Sequence, residues 1–183
     1  MNSLPSKTKE TAFQILNRTT WTNNKAHKSG IRDNPDCDYC GQIETIEHLV
    51  HNCEDYSAAL WEELGHGLTS ALVAHSGNEI PTVQLTPLEI IYNKIHPSII
   101  LHLKEKPVQL TLVHLVQEIK SDIIYRRMNT NANQRRRNLT RIRAHLLSTV
   151  RKTISLLEYQ GTRNFQDSIN FLSLLETIIS ERV

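Results

Sequence analysis

Every cysteine in the chain falls between residues 37 and 53: Cys37, Cys40 and Cys53, with His48 among them. That clustering constrains the fold more than any other feature, because three thiols and an imidazole so close in sequence invite a single centre. Three cysteines in 183 residues are too few for a disulfide framework. The spacing is C-x2-C-x7-H-x4-C. A C-x2-C turn lets two sulfurs converge on one ion. Gly41, directly after the second cysteine, permits the positive φ that points backbone N–H groups at the thiolates. His48 and Cys53 are about 1.5 helical turns apart, so a bend after Val50 would bring both to one point.

Zinc takes thiolate and imidazole ligands in a closed tetrahedron when its role is structural. The candidate ligands are therefore Cys37, Cys40, His48 and Cys53, around one structural Zn2+. They leave no open coordination position, so a hydrolytic zinc is not expected. His51 competes with His48 for the fourth place, but a single residue separates it from Cys53, which crowds the geometry. The alternative is a set of buried free cysteines beside a hydrogen-bonded histidine. The segment carries few large apolar residues, and a structural zinc can contribute roughly 10 kcal/mol or more to folding.

Around this window the pattern is helical. A short helix is expected from about residue 6 to 17, with Phe13 and Leu16 on one stripe. Thr22 reads as the N-cap of a brief helix through Lys28, stopped by Gly30, and Thr45 as the N-cap of another carrying Ile46, His48, Leu49 and Val50. A longer helix follows over about 56–73, with Leu60, Trp61, Leu64, Leu68 and Leu72 on its apolar face. Four of the six prolines lie between 76 and 107, which reads as a connector with one short helix near 88–94. From 108 onward three apolar stripes recur. They are Leu112, Val116, Ile119 and Ile123, then Leu139 to Leu157 with a stop at Gly161, then Phe165, Ile169, Leu172, Leu175 and Ile179. No alternating strand pattern of useful length appears. The expected fold is mainly α, a small zinc-stabilised knuckle or finger followed by a helical C-terminal region. Its segments are 1–75 (zinc module with flanking helices), 76–107 (connector) and 108–183 (basic helical region).

The net charge of +2 hides a segregation. Residues 36–63 carry eight acids and no lysine or arginine, a formal −8, whereas residues 120–152 carry ten basic residues against Asp122, a formal +9. Residues 1–32 carry six basic residues against Glu10, a formal +5. An acidic zinc segment repels phosphates. The nucleic-acid-contacting candidates are therefore Arg126, Arg127, Arg135, Arg136, Arg137, Arg141, Arg143, Arg151 and Lys152, whose guanidinium forks match phosphate oxygens. A solvated face, or one docked on the acidic module, is the competing use of the same residues. Aromatic residues make up only 5% of the chain, which argues against base-stacking platforms. Tyr39 is expected to shield the metal and Trp61 to be core, and the histidines outside the cluster, His145 among them, show no ligand or triad spacing. No apolar run reaches the roughly 18 residues of a membrane span, and no signal-peptide core opens the chain. A soluble intracellular location without membrane or small-molecule partners is expected.

Cys37-x2-Cys40-Gly41, Glu44-Thr45-x2-His48-Leu49, Cys53 and Trp61 together resemble the zinc-binding domain near the C-terminus of non-LTR (LINE-type) retrotransposon reverse transcriptases. Thr20-Trp21-Thr22 through Gly30-Ile31 is similar to the short helix leading into that family's first cysteine, and residues 119–128 to the basic helix that often follows. The resemblance implies a zinc-dependent accessory region that helps to hold RNA or DNA, beside a retroelement catalytic domain, and with the arginine cluster it points to the nucleus. In that family the catalytic domains lie upstream, so this chain is expected to be a detached C-terminal piece or remnant reading frame. A reverse-transcriptase palm needs a paired-aspartate hairpin for two metal ions, and no Asp-Asp dipeptide occurs here. The expectation is a non-enzyme, with a protein-interaction or structural module packed on an absent catalytic domain as the alternative.

Overall fold

The computed structural model describes residues 6–129, 139–159 and 165–181, with side chains given up to Tyr125 in the first of these stretches. Its elements are α1 (Ser6–Leu16), α2 (Asn23–Lys28), a one-turn π-helix (His48–Asn52), α3 (Ser57–Ser76), α4 (Pro87–Tyr92), α5 (Pro97–His102), α6 (Lys106–Asn129), α7 (Leu139–Tyr159) and α8 (Gln166–Glu181). Among the described residues there is no strand; the one extended pairing is an isolated antiparallel bridge between Asp36 and Ile43. The fold is all-helical, as the periodicity predicts.

The expected caps are present. Thr22 Oγ1 accepts the Lys25 N–H at the start of α2, and Gly30 and Gly77 take positive φ just past α2 and α3. Thr86 and Glu89 form a reciprocal capping box ahead of α4, with Pro87 in its first turn. The proline-bearing connector holds one helix more than its texture suggested. His96 Nδ1 accepts the Ser98 N–H and Pro97 opens α5, because a proline that breaks a helix interior is well placed in its first turn. Gly161, the expected stop of α7, lies outside the described residues.

Helix α3 is the centre of the packing. It lies against α7, α8 and the π-helix, while α6 packs on α1, α7, α8 and the π-helix. One hydrophobic core runs through all of them, from Leu49 and Val50 beside the cysteine–histidine cluster to Leu60, Leu64, Leu68, Leu115, Ile119, Leu146, Leu172 and Leu175. Two expectations are corrected. Phe13, 64% exposed, and Leu16 point outward on α1; the helix instead docks Thr8, Thr11 and Ile15 on α6. Thr8 Oγ1 donates to Glu118 Oε1 (2.7 Å) and Gln117 Nε2 donates to the Thr8 carbonyl (3.2 Å), so this contact is polar and escapes an apolar-stripe search. Lys120, which the sequence places at the start of the basic segment 120–152, is fully buried in α6 and adds nothing to a basic surface. Its ammonium donates to the Ile90 carbonyl (2.9 Å) and Asn93 Oδ1 (2.5 Å), satisfying the C-terminal end of α4.

Two predictions follow from this packing. Gly65 in α3 faces the backbone of the connector, and a Cβ there would press into the Val83 carbonyl oxygen. The same approach is fastened by Thr69 Oγ1, which accepts the Val83 N–H (2.8 Å) and donates to the Gly65 carbonyl (2.8 Å). Gly65→Ala gains about 1 kcal/mol of helix propensity but must displace backbone, which costs more. A net loss of about 1–3 kcal/mol in urea unfolding is expected. Burial drives the Lys120 pKa down from 10.5 to about 7. The folded state then binds fewer protons than the unfolded state between those two values, so stability rises with pH across that window. Urea titrations at pH 7 and pH 10 should show the wild type gaining on Lys120→Met as pH rises.

Candidate metal centre

The knuckle is built by backbone before any metal is considered. Cys37 N–H donates to the Gln42 carbonyl (2.6 Å), Gly41 N–H returns to the Cys37 carbonyl (2.9 Å), and Glu44 N–H reaches the Pro35 carbonyl (2.9 Å). This tight loop requires the left-handed φ of +76° that Gly41 supplies. Helix α2 is then pinned to it. The fully buried Glu44 carboxylate accepts the Asn23 backbone N–H at the start of α2 (2.7 Å), and Asn23 Nδ2 donates to the Asp36 carbonyl (2.6 Å). Arg32 bridges Asn23 Oδ1 (2.8 Å) and the Asp38 carboxylate.

On the other side Thr45 Oγ1 accepts the His48 N–H (3.0 Å), as the N-cap expectation requires. The bend expected after Val50 is not a break. It is the π-helix, closed by Cys53 N–H donating to the His48 carbonyl (2.9 Å). That five-residue closure is what turns His48 and Cys53 toward one point, and π-turns recur at functional sites. Ser57 Oγ accepts the Cys53 N–H (3.2 Å), and Trp61 Nε1 donates to the Val50 carbonyl (2.7 Å), fastening the π-helix to α3.

The structure brings Cys37, Cys40, His48 and Cys53 together, with all four ligand atoms within 4.8 Å of one another. Cys37 Sγ and Cys53 Sγ are 3.9 Å apart, and Cys40 Sγ and His48 Nε2 are 3.2 Å apart. A tetrahedron with Zn–S bonds of about 2.3 Å and Zn–N of about 2.0 Å has edges of roughly 3.5–3.8 Å, so the donor set fits zinc in both chemistry and spacing. His51 faces elsewhere. Its Nε2 lies 2.9 Å from the Leu85 carbonyl and its Nδ1 against Asn52 Oδ1.

The thiols also show why a cation suits the site. The hydrogen bond with Cys53 holds Cys37 down to about 4, against burial that pushes it up, with help from the Tyr39 and Cys40 N–H groups. Burial pushes the Cys40 thiol up, and the Cys37 partner and burial push Cys53 up. An ionised Cys37 disfavours ionisation of its neighbours, and a divalent ion among them would favour it.

Beyond the ligands, a chain of side chains joins the knuckle to the helical core. Tyr39, between the first two cysteines, stacks on Tyr56 with ring centroids 5.4 Å apart. Tyr56 Oη is 2.9 Å from His145 Nδ1, and His145 Nε2 is 3.4 Å from Asp122 Oδ2, which also accepts from Thr149 Oγ1 (3.1 Å). Sequence spacing hides this group, since the members come from the knuckle, α6 and α7. The hydrogen bond from His145, with its charge, holds the Asp122 carboxyl below the ordinary range although burial pushes the other way.

The basic candidates divide. Arg143 forms a two-point pair with Glu63 of α3 (2.8 and 3.1 Å), Arg151 pairs with Glu176 of α8 (2.7 Å), and Lys152 pairs with the buried Glu118 of α6 (2.7 Å). Arg141 is exposed on α7. Arg126 and Arg127 fall near the end of α6, beyond the described side chains, and Arg135, Arg136 and Arg137 lie outside the described residues. No described helix is long and apolar enough to cross a membrane.

The ligand set, its knuckle and the tryptophan that anchors it all fall within one recognised stretch. Residues 1–61 match the family described as zinc-binding in reverse transcriptase. The matched region ends at Trp61 and contains all four ligands, and the family is a zinc-binding accessory one, distinct from the catalytic domain. No curated protein and no solved structure matches the chain significantly. The zinc-binding module should therefore retain one zinc per chain when purified, measured by elemental analysis. Cys53→Ser should fall to near zero and lose tens of degrees in Tm, since structural zinc can contribute roughly 10 kcal/mol to folding and about 1 kcal/mol is worth about 2–4 °C in a domain of this size, whereas His51→Ala should keep its metal.

Proposed function

We propose that the chain is a non-catalytic accessory region of a LINE-type retrotransposon reverse transcriptase, in which one structural zinc orders the module and basic residues of the C-terminal half hold RNA or DNA. The observation that carries this reading is the assembled Cys3His set within the matched stretch. The motif residues support the finer assignment, because each has a structural task. Glu44 anchors α2, Thr45 caps His48, Leu49 is buried in the core, and Trp61 grips the π-helix. Four protein ligands leave no coordination position for a reacting water, which favours a structural over a hydrolytic ion. When bound, the zinc supplies charge neutralisation for the thiolates; the chain's own residues supply the shape.

A second reading, a module that packs on a catalytic domain without holding nucleic acid, is favoured by one finding. Arg143, Arg151 and Lys152 are already committed to carboxylates within the chain. Salt-titrated binding separates the two. Zinc-loaded full-length protein should bind RNA and DNA oligonucleotides with log K falling steeply against log salt. Replacing Arg135, Arg136 and Arg137 by alanine should reduce that slope by roughly 2.1–2.7, three phosphate contacts at roughly 0.7–0.9 each. Protein that retains no oligonucleotide at low salt would favour the second reading.

A further inference from the structure

A groove of about 380 Å³ lies against the zinc module, between the end of α1, helix α2, the Thr45–Glu47 turn and the end of α4. Its volume is within the roughly 300–1,000 Å³ usual for ligand clefts. Its apolar lining comes from Ile15, Leu16, Ile46 and Ile91 and its cationic lining from Arg18, Lys25 and Lys28. Glu47 is the single carboxylate among the lining residues. Tyr92, 47% exposed at the end of α4, presents an aromatic ring at the edge.

The charge here differs in kind from the basic charge on α7. There, Arg143, Arg151 and Lys152 are neutralised by carboxylates of the fold. Among the described residues, Arg18, Lys25 and Lys28 form no ion pair. Lys25 donates to the Arg18 and Thr20 carbonyls, so it braces the α1–α2 loop while keeping its charge beside the groove. Arg18 takes a left-handed φ of +55° in the turn after α1. Three cations, apolar side chains and a partly exposed aromatic in one groove are the parts by which a strand is held: phosphates by the cations, a base against the ring. Two of the eight acids of residues 36–63 are paired with arginines of the fold, Asp38 with Arg32 and Glu63 with Arg143, and the buried Glu44 caps α2.

We propose that the Arg18–Lys25–Lys28–Tyr92 groove binds the backbone and a base of single-stranded nucleic acid, as a site separate from the C-terminal arginines. It rests on the nucleic-acid reading above but places a contact on residues that reading does not use. The test is fluorescence anisotropy of zinc-loaded full-length protein with labelled oligouridylate, oligothymidylate and a duplex of equal length, over a salt series. Lys25 is left intact because it holds the loop. Arg18→Gln/Lys28→Gln should bind single strands roughly tenfold more weakly at low salt. Its log K against log salt slope should drop by about 1.4, two contacts at about 0.7 each. Tyr92→Ala, an exposed change, should weaken single-strand binding by roughly tenfold and duplex binding by much less. Zinc content and Tm equal to wild type verify the fold in each variant. Unchanged binding in both variants, with a loss in the Arg135/Arg136/Arg137 variant, overturns the groove while leaving the broader reading standing. Equal losses on duplex and single strand, or no binding by the wild type, also overturn it. The ratio of the two single strands reports whether RNA or DNA is preferred.

Discussion

Three thiols and an imidazole whose ligand atoms lie within 4.8 Å of one another set the terms for the N-terminal third of this chain. Like charges at that separation in a partly buried site repel by several kcal/mol, so the cluster cannot be fully ionised alone. The Cys37 thiolate exists at the expense of Cys53 and Cys40, whose thiols are pushed up. A glycine-dependent knuckle, a π-turn and a buried glutamate each position one ligand or its support. A divalent ion would offset the repulsion among the thiolates, so its binding and the folding of this scaffold are coupled.

The same scaffold ties the module to the helical core. Tyr39 leaves the knuckle and stacks on Tyr56, and Tyr56 continues through His145 to Asp122. Glu63 of α3 meets Arg143 of α7 beside it, with both residues half-buried. An ion pair that solvent still reaches adds little stability by itself, but this one joins the two oppositely charged segments of the sequence. Part of the acidic zinc segment and part of the basic C-terminal segment neutralise each other across α3 and α7.

How much of this was legible in the sequence depends on range. The ligands, Gly41, the Thr22 and Thr45 caps and the core face of α3 follow from local spacing and local backbone chemistry, and a single sequence contains those. Helix α5 escapes the proline texture because proline, which breaks a helix interior, also starts one. The docking face of α1 escapes the apolar stripe because Thr8 and Thr11, not Phe13 and Leu16, make the contact, through hydrogen bonds to α6. His145, Lys120 and Glu118 could not be read at all. Each acquires its role from a partner at least 23 positions away, and no periodicity encodes that.

The fate of the basic residues follows from what each would have to give up. A guanidinium held at two points by Glu63 cannot offer its fork to a phosphate without leaving a carboxylate unpaired and half-desolvated, which costs about as much as the new contact returns. Lys120 is worse placed still, since its donors already serve the carbonyls that end α4. Cationic side chains without such commitments keep their attraction for an external anion, and among the described residues Arg18 and Lys28 are of that kind. Their position against the zinc module shows that a formal charge of −8 does not make a uniformly repelling face. The groove is lined by Arg18, Lys25 and Lys28 against Glu47 alone, so its formal charge is positive although the neighbouring segment as a whole stays acidic.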